Sequence, residues 1–418
     1  MPGPARRATV DGAWHRIAMW VMRRPVLVLV STLTVLIALG LPFIRLTMAA
    51  ADVRTLPRQI ESRDTFEALR EAFPDQTRTR ILGVAVFPSA PALTAERVGA
   101  LYDLSRRIQQ LPDVAAVDSI VDIDPSMTRD DYQELAETPE ASLPPAARQM
   151  LGMVAGKNIL LLSALSDAPP ASDKARAIVR AMRQDRRVGD GTLQVAGATA
   201  HDVDVTAFIL GRAPAAIAFM MVTTYVVLFV LLRSVLLPLK AVVMNLLSIT
   251  ASFGALVWIF QDGHLASWLH FEAAPLDPTL PVLLFCAVFG LSMDYEVLML
   301  ARMKEEYERT GDNTRAVASG LERSARLVTS AAAIMVTVFG AFALARVVLV
   351  KAMGVGLAIA VALDASLVRV LVVPATMRLF GDLNWWAPRF LRRPSRLVAE
   401  SPPIGADPPA RDERRSIG

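Results

Sequence analysis

The sequence predicts an α-helical membrane protein with six transmembrane helices and one α/β domain held outside the membrane. Three observations carry that expectation. Hydrophobic residues make up 53% of the 418 positions, high for a water-soluble chain of this length. Six stretches are long and apolar enough to cross a bilayer core of about 30 Å, which takes roughly 20 helical residues. Between the first two lies the segment 46–211, long enough for its own core, in which strand-like and helix-like periods alternate.

The expected spans are 26–45, 212–232, 239–260, 279–301, 327–345 and 352–378. The apolar cores of four carry no charged residue, whereas the fourth and sixth contain acids and are read as functional. Basic residues set the orientation. They crowd the N-terminal segment 1–25, the turn between the second and third spans, the loop 302–326 and the tail 379–418, which is expected to be disordered towards its end. The connection 261–278 has neither Lys nor Arg. Both termini are therefore expected in the cytoplasm, with Arg346 and Lys351 the dissenting pair. The first span is too long for a signal-peptide core and lacks a small-residue cleavage site, so it is expected to remain as an anchor.

In the outer domain, helices are expected over 61–73, 94–111, 130–138, 145–154 and 172–184, and strands over 80–87, 115–121, 158–166 and 192–197. Strands alternating with helices argue for a sheet covered on one face, in a split βαβ arrangement of the ferredoxin-like kind.

Several functions are disfavoured. The net charge of +4 resides mainly at helix ends, which reads as membrane orientation and not as a nucleic-acid surface. Gly152 to Asn158 resembles a phosphate loop but has one residue too few between its glycines, and Asn158 stands where a Ser or Thr would hold magnesium. His201, Asp202 and Asp204 are read as a hinge or cap before a metal site. His264 and His270 are read as interfacial. Cys286, the only cysteine, excludes an intramolecular disulfide. No nucleophile–base pair or metal cluster points to an enzyme, and no cofactor is implied.

The chemistry is expected in the membrane. Ionisable residues there are costly and mark polar pathways or partners. By helical rise, Asp294 on the fourth span lies about 20 Å from the outer end and Asp364 on the sixth about 18 Å, a similar depth. Asp294 and Glu296 stand about 200° apart on a helix and cannot share a face, while Tyr295 points about 100° from Asp294. Glu296 is expected to pair with Arg302 or Arg369, and Arg369 to snorkel towards the cytoplasm, so both are read as structural. Asp294 has no basic neighbour at its depth and is read as functional. A carboxylate so placed can exchange a proton with water. Ser330 and Thr337 on the fifth span, and Asn245 and Ser248 on the third, are possible hydrogen-bonding groups along that route.

Three stretches of this chain resemble a known family: "RSVLLPLKAVVMNLLSITASFGALVWIFQDG" (233–263), "FGLSMDYEVLMLARMKEEYERTGDN" (289–313) and "GVGLAIAVALDASLVRVLVVPATMRLFGDLNWWAP" (354–388). With "VMRRPVLVLV" (21–30), they are similar to MmpL-type transporters of the resistance–nodulation–division superfamily, over most of residues 14–393. The resemblance implies a transporter driven by the proton gradient that exports lipids or other hydrophobic compounds from the plasma membrane. It implies that the outer domain is a porter domain, and that Asp294 and Tyr295 are the proton relay. In that family the Asp of one half bonds the Tyr of the other across a pseudo-twofold axis.

Full members of the family carry two such halves, and this sequence carries one, most like the second. The expectation is therefore a two-half assembly, either a homodimer or a pair with a separately encoded first half. The alternative is a non-transporting accessory or scaffold subunit, or the remnant of a split transporter gene.

Overall fold

The computed structural model describes residues 12–386 except 51, 52, 54, 55, 57–59, 140, 141, 143 and 144. The expected tail beyond 386 lies outside the described residues. The described residues open on helix α1 (Ala13–Arg23), which breaks at Arg24, where Pro25 starts α2 (Pro25–Gly40). Proline suits that first position because its missing N–H would be unpaired there anyway. A 3₁₀ turn, Leu41–Arg45, completes the first span.

The outer domain follows as α3 (Glu61–Ala72), β1 (Thr79–Val86), α4 (Ala95–Gln109), β2 (Ala116–Ser119), α5 (Arg129–Glu137), α6 (Pro145–Val154), β3 (Ile159–Ser166), α7 (Asp173–Gln184), β4 (Arg187–Val188) and β5 (Gly191–Ala196). Local chemistry sets these boundaries. Thr94 and Ser172 cap α4 and α7, and Thr128 forms a reciprocal capping box with Asp131 at α5. The sheet order is β2-β3-β1-β5-β4, with every neighbouring pair antiparallel. β1 and β2 therefore run the same way with β3 between them, and β3 and β5 do so around β1. Two interleaved split βαβ units result, the ferredoxin-like pattern that the sequence predicts.

β1 alternates buried and exposed residues. Its buried Ile81 and Ala85 join Leu160, Ala164 and Leu193 beneath α4 and α7. The helices contribute Leu101, Leu104 and Ile108 from α4, and Ile178, Val179 and Met182 from α7.

An arginine pins this layer at one edge. Arg97 on α4 grips the Asp190 carboxylate with Nη2 at 2.7 Å and Nε at 3.0 Å. Its Nη1 also donates to the carbonyls of Ser89 and Pro91. The hydrogen bond from Arg97 holds the Asp190 carboxyl below the usual carboxylate range. A lowered carboxyl contributes stability above its unfolded value, near 3.9, and loses it as pH falls through the folded value. Outer-domain unfolding is therefore expected to be insensitive to this pair from neutral pH to about 5, and to become easier below about 4. Denaturant midpoints of wild type and Asp190→Asn across that range check it, because the mutant lacks that part of the pH slope.

Gly197, at φ +103°, turns the chain out of β5 into the membrane region. A side chain there would meet the Arg80 carbonyl at 3.2 Å. The membrane helices are α8 (Ala198–Leu232), α9 (Leu236–Leu256), α11 (Thr279–Thr310), α12 (Asn313–Ala341), and α13 (Val348–Leu363) with α14 (Val373–Phe380); a short α10 (Ala266–Leu269) lies in the outer connection. The segment Asp364–Val372 joining α13 to α14 is π-helical. With α2, these make six helices among the described residues that are long and apolar enough to cross a membrane. α9 is the most enclosed, with 72% of its apolar window buried, so the bundle is organised around it.

α2 crosses α9 at two glycines. A Cβ on Gly254 would sit 2.0 Å from the Leu39 carbonyl oxygen and 2.7 Å from Gly40 Cα, so only glycine lets these backbones touch. Gly254→Val is expected to cost about 3 kcal/mol, the upper end for overpacking, because the obstacle is backbone and cannot move aside. The thermal unfolding midpoint of the purified protein in detergent reports it.

Two expectations change here, for residues 302–326 and for Arg369, and the N-terminal segment and Lys351 gain structural detail. Residues 302–326, expected as a loop, are helical apart from the turn at Gly311 and Asp312. Their charges pair along the helices, as in Arg302–Glu305 and Arg309–Glu306, and Asp312 caps α12. The N-terminal segment contains α1, whose Ala18, Val21 and Met22 are buried. Its first turn is held by Glu322 of α12, which accepts from the His15 backbone N–H at 2.8 Å. Lys351, a dissenter in the charge pattern, is buried and donates to the Leu269 carbonyl at the end of α10. Arg369 does not snorkel: it is 2% exposed and bonded inside the bundle.

Candidate functional site

The polar centre of the bundle lies where α11 meets the π-helical segment. Asp364 Oδ2 accepts from Ser292 Oγ at 2.7 Å, from Tyr295 Oη at 2.9 Å, and from Arg369 Nη2 and Nε at 3.1 and 3.2 Å. Arg369 Nη2 also donates to the Ser292 carbonyl at 2.7 Å, and its guanidinium lies 3.7 Å over the Tyr295 ring. Ser292, Asp364 and Arg369 are each at most 2% exposed. A charge pair sealed to this degree requires close geometry and extra hydrogen bonds to offset its desolvation, and this one has both.

The π-helical geometry brings the pair together. Positions 364 and 369 would lie about 140° apart on an α-helix. Hydrogen bonding from i to i+5 widens the turn and aligns residues five apart, as π-helical segments often do at functional sites. Spacing five reads as no pair in a sequence scanned for α-helical neighbours, so this contact was concealed.

The other expected residues separate by helix face. Asp294 is exposed on the outer surface of α11, whereas Glu296 is 5% exposed and points inward, as the 200° offset requires. Leu283, Cys286 and Gly290 share the exposed stripe of Asp294. Glu296 makes no ion pair with Arg302 or Arg369 among the described residues, because those arginines are taken by Glu305 and Asp364. It lies within electrostatic range of Arg369, Asp364 and Lys240. Lys240 contacts Asn384 and Met377 Sδ and sits over the Phe380 ring.

Ser330 and Thr337 are exposed on α12 and donate to the carbonyls of Arg326 and Ala333 in their own helix, so the structure does not bring them to this centre. Asn245 and Ser248 are buried on α9. Outside the membrane region, Asp202 accepts from Ala50 N at 2.6 Å and from Arg176 Nε at 2.7 Å, tying the first span's exit to α7 and α8. Asp204 pairs with Arg183 at 2.5 Å. Both acids are thus engaged by arginines.

A family model described as the MMPL family matches residues 54–404. The chain belongs to the MMPL family. Its resemblance to MmpL-type members of the resistance–nodulation–division superfamily is therefore supported over most of its length. A putative membrane protein of Streptomyces coelicolor is 35% identical over 393 residues, 94% of this chain and 49% of that protein. The heme uptake protein MmpL11 of Mycobacterium tuberculosis is 33% identical over 387 residues, 92% of this chain and 37% of the relative. The trehalose monomycolate exporter MmpL3 of the same species is 31% identical over 389 residues, 93% and 38%. The chain thus spans half or less of the length of the curated relatives it matches.

Proposed function

We propose that this MMPL protein is a six-helix half of a transporter driven by the proton motive force, which exports lipids or other hydrophobic compounds when two halves are assembled. The placement of Asp294 carries the reading. An acid exposed on the apolar wall of a membrane helix is costly unless a partner or a water path faces it. Here it adjoins Tyr295, whose hydroxyl is held in a buried charge network. The facing half comes from a second copy or from a separately encoded first-half chain, whose aspartate Tyr295 reaches by exchanging its bond to Asp364 for one across the seam. A proton at Asp294 changes the charge at that seam, and α8, continuous from the membrane into the outer domain, carries the helix shift to the porter domain.

The relatives' names support the substrate class, since they include exporters of trehalose monomycolate and of mycolic acid-containing lipids. The reading puts the protein in the bacterial cytoplasmic membrane with both ends of this chain on the cytoplasmic side, an orientation supported by the basic residues gathered at α1 and around the turn between α11 and α12. The test is transport of a fluorescent lipid in sealed vesicles containing the purified assembly. Dissipating the pH gradient and potential with an ionophore is expected to stop it, and undiminished transport would refute proton drive.

A further inference from the structure

Four buried side-chain polar atoms of α9 and the π-helical segment have no hydrogen-bond partner among the described residues: both amide atoms of Asn245, the Ser248 hydroxyl and Nη1 of Arg369. The three residues are 1%, 0% and 2% exposed. A polar atom deep in a bundle without a hydrogen bond is costly, and such groups are ordinarily met by protein or by internal water.

Register places these atoms together. α9 and the α13–α14 helix run antiparallel, cross-linked at two levels. Ser252 Oγ donates to the Gly356 carbonyl at 2.9 Å, and Lys240 Nζ reaches Met377 Sδ at 3.3 Å. From the Ser252–Gly356 contact, equal helical rise sets Ser248 opposite Ala360 and Asn245 opposite Leu363, beside Asp364, onto which Arg369 is folded back. Positions 245, 248 and 252 lie within about 60° of one another on a helix, so the first two face the same neighbour as Ser252. Among the described residues, the charged groups around Asp364 are Arg369, bonded to it, and Glu296 at longer range, which is itself within range of Lys240.

We propose that Asn245, Ser248 and Arg369 Nη1 enclose an internal water site that supplies protons to Asp364, separately from the exposed Asp294. The donor set suits water. Arg369 Nη1 only donates, Asn245 Oδ1 only accepts, and Asn245 Nδ2 and Ser248 Oγ complete the shell, which gives a water its two to four partners. In the transfer, the water next to Asp364 gives one proton to the carboxylate and regains one from the next water outward. The acid becomes neutral, and Arg369 keeps its charge against the Ser292 carbonyl and the Tyr295 ring. This role rests on the proton-driven reading above; the water site itself does not.

The test uses the full chain in vesicles, with Cys286→Ala to remove the native thiol. Ser248→Cys is expected to react with a small mercurial at least about tenfold faster than a cysteine at Ala318, an equally buried apolar position, and adding Asn245→Leu should remove the difference. Asn245→Leu should also lower gradient-driven transport about tenfold or more, while Asn245→Ser, which keeps a polar group, retains most of it. Equal labelling at positions 248 and 318 overturns the water site, and wild-type transport by Asn245→Leu overturns its proton-supplying role. Wild-type transport that survives the ionophore instead refutes proton drive, and leaves the labelling result to stand or fall alone.

Discussion

Arg369→Met is expected to destabilise the bundle by about 3–5 kcal/mol, the cost of leaving one member of a buried ion pair without its partner. Asp364 keeps the bonds from Ser292 and Tyr295 but loses both guanidinium contacts, and Tyr295 loses the cation stacked on its ring. The size of the loss belongs to the orphaned carboxylate more than to any intrinsic strength of the pair. The double variant Asp364→Asn with Arg369→Met should therefore recover much of it, since apolar or neutral replacement of a whole buried pair is often close to neutral. Unfolding equilibria of the two single variants and the double variant measure this coupling. Additive losses would show that the two side chains act independently, against the geometry described here.

Asp294→Asn is expected to abolish transport while the protein still inserts and keeps wild-type stability. Asp294 is exposed on α11 and touches none of the buried network, so removing its charge leaves the packing of this chain unchanged. If it is the group that gains and loses the driving proton, the asparagine cannot replace it, and the loss should reach at least about a hundredfold, the scale of removing a proton-transferring group. Transport at the wild-type rate by a correctly inserted variant would remove Asp294 from the mechanism.

The architecture was legible because its signals are local. Alternation along Thr79–Val86 marks a half-buried strand, the short apolar run Ile159–Ser166 marks a more deeply buried one, and uncharged runs such as 213–232 mark spans. The opposed directions of Asp294 and Glu296 follow from 100° per residue alone. Features that depend on tertiary context were not legible. Arg369 read as a snorkelling charge because its partner lies five positions back, a spacing that only the π-helical turn makes close. The charges of 302–326 read as a loop, although they pair along two continuous helices. The hydroxyls of Ser330 and Thr337 looked available, yet each satisfies its own backbone, as serine and threonine commonly do in membrane helices. Tyr295 was placed correctly off the Asp294 face, but its tie to Asp364 within the same chain had no signature in the sequence.

Proton flux measured alongside substrate movement tests the central claim most directly. Purified assemblies of wild type and Asp294→Asn are sealed in vesicles with a pH-sensitive dye inside, and substrate is added in the presence of a pH gradient. The account predicts substrate-stimulated proton flux in wild type and none in Asp294→Asn. Substrate transport by wild type without proton movement, or equal flux in the two proteins, would contradict it.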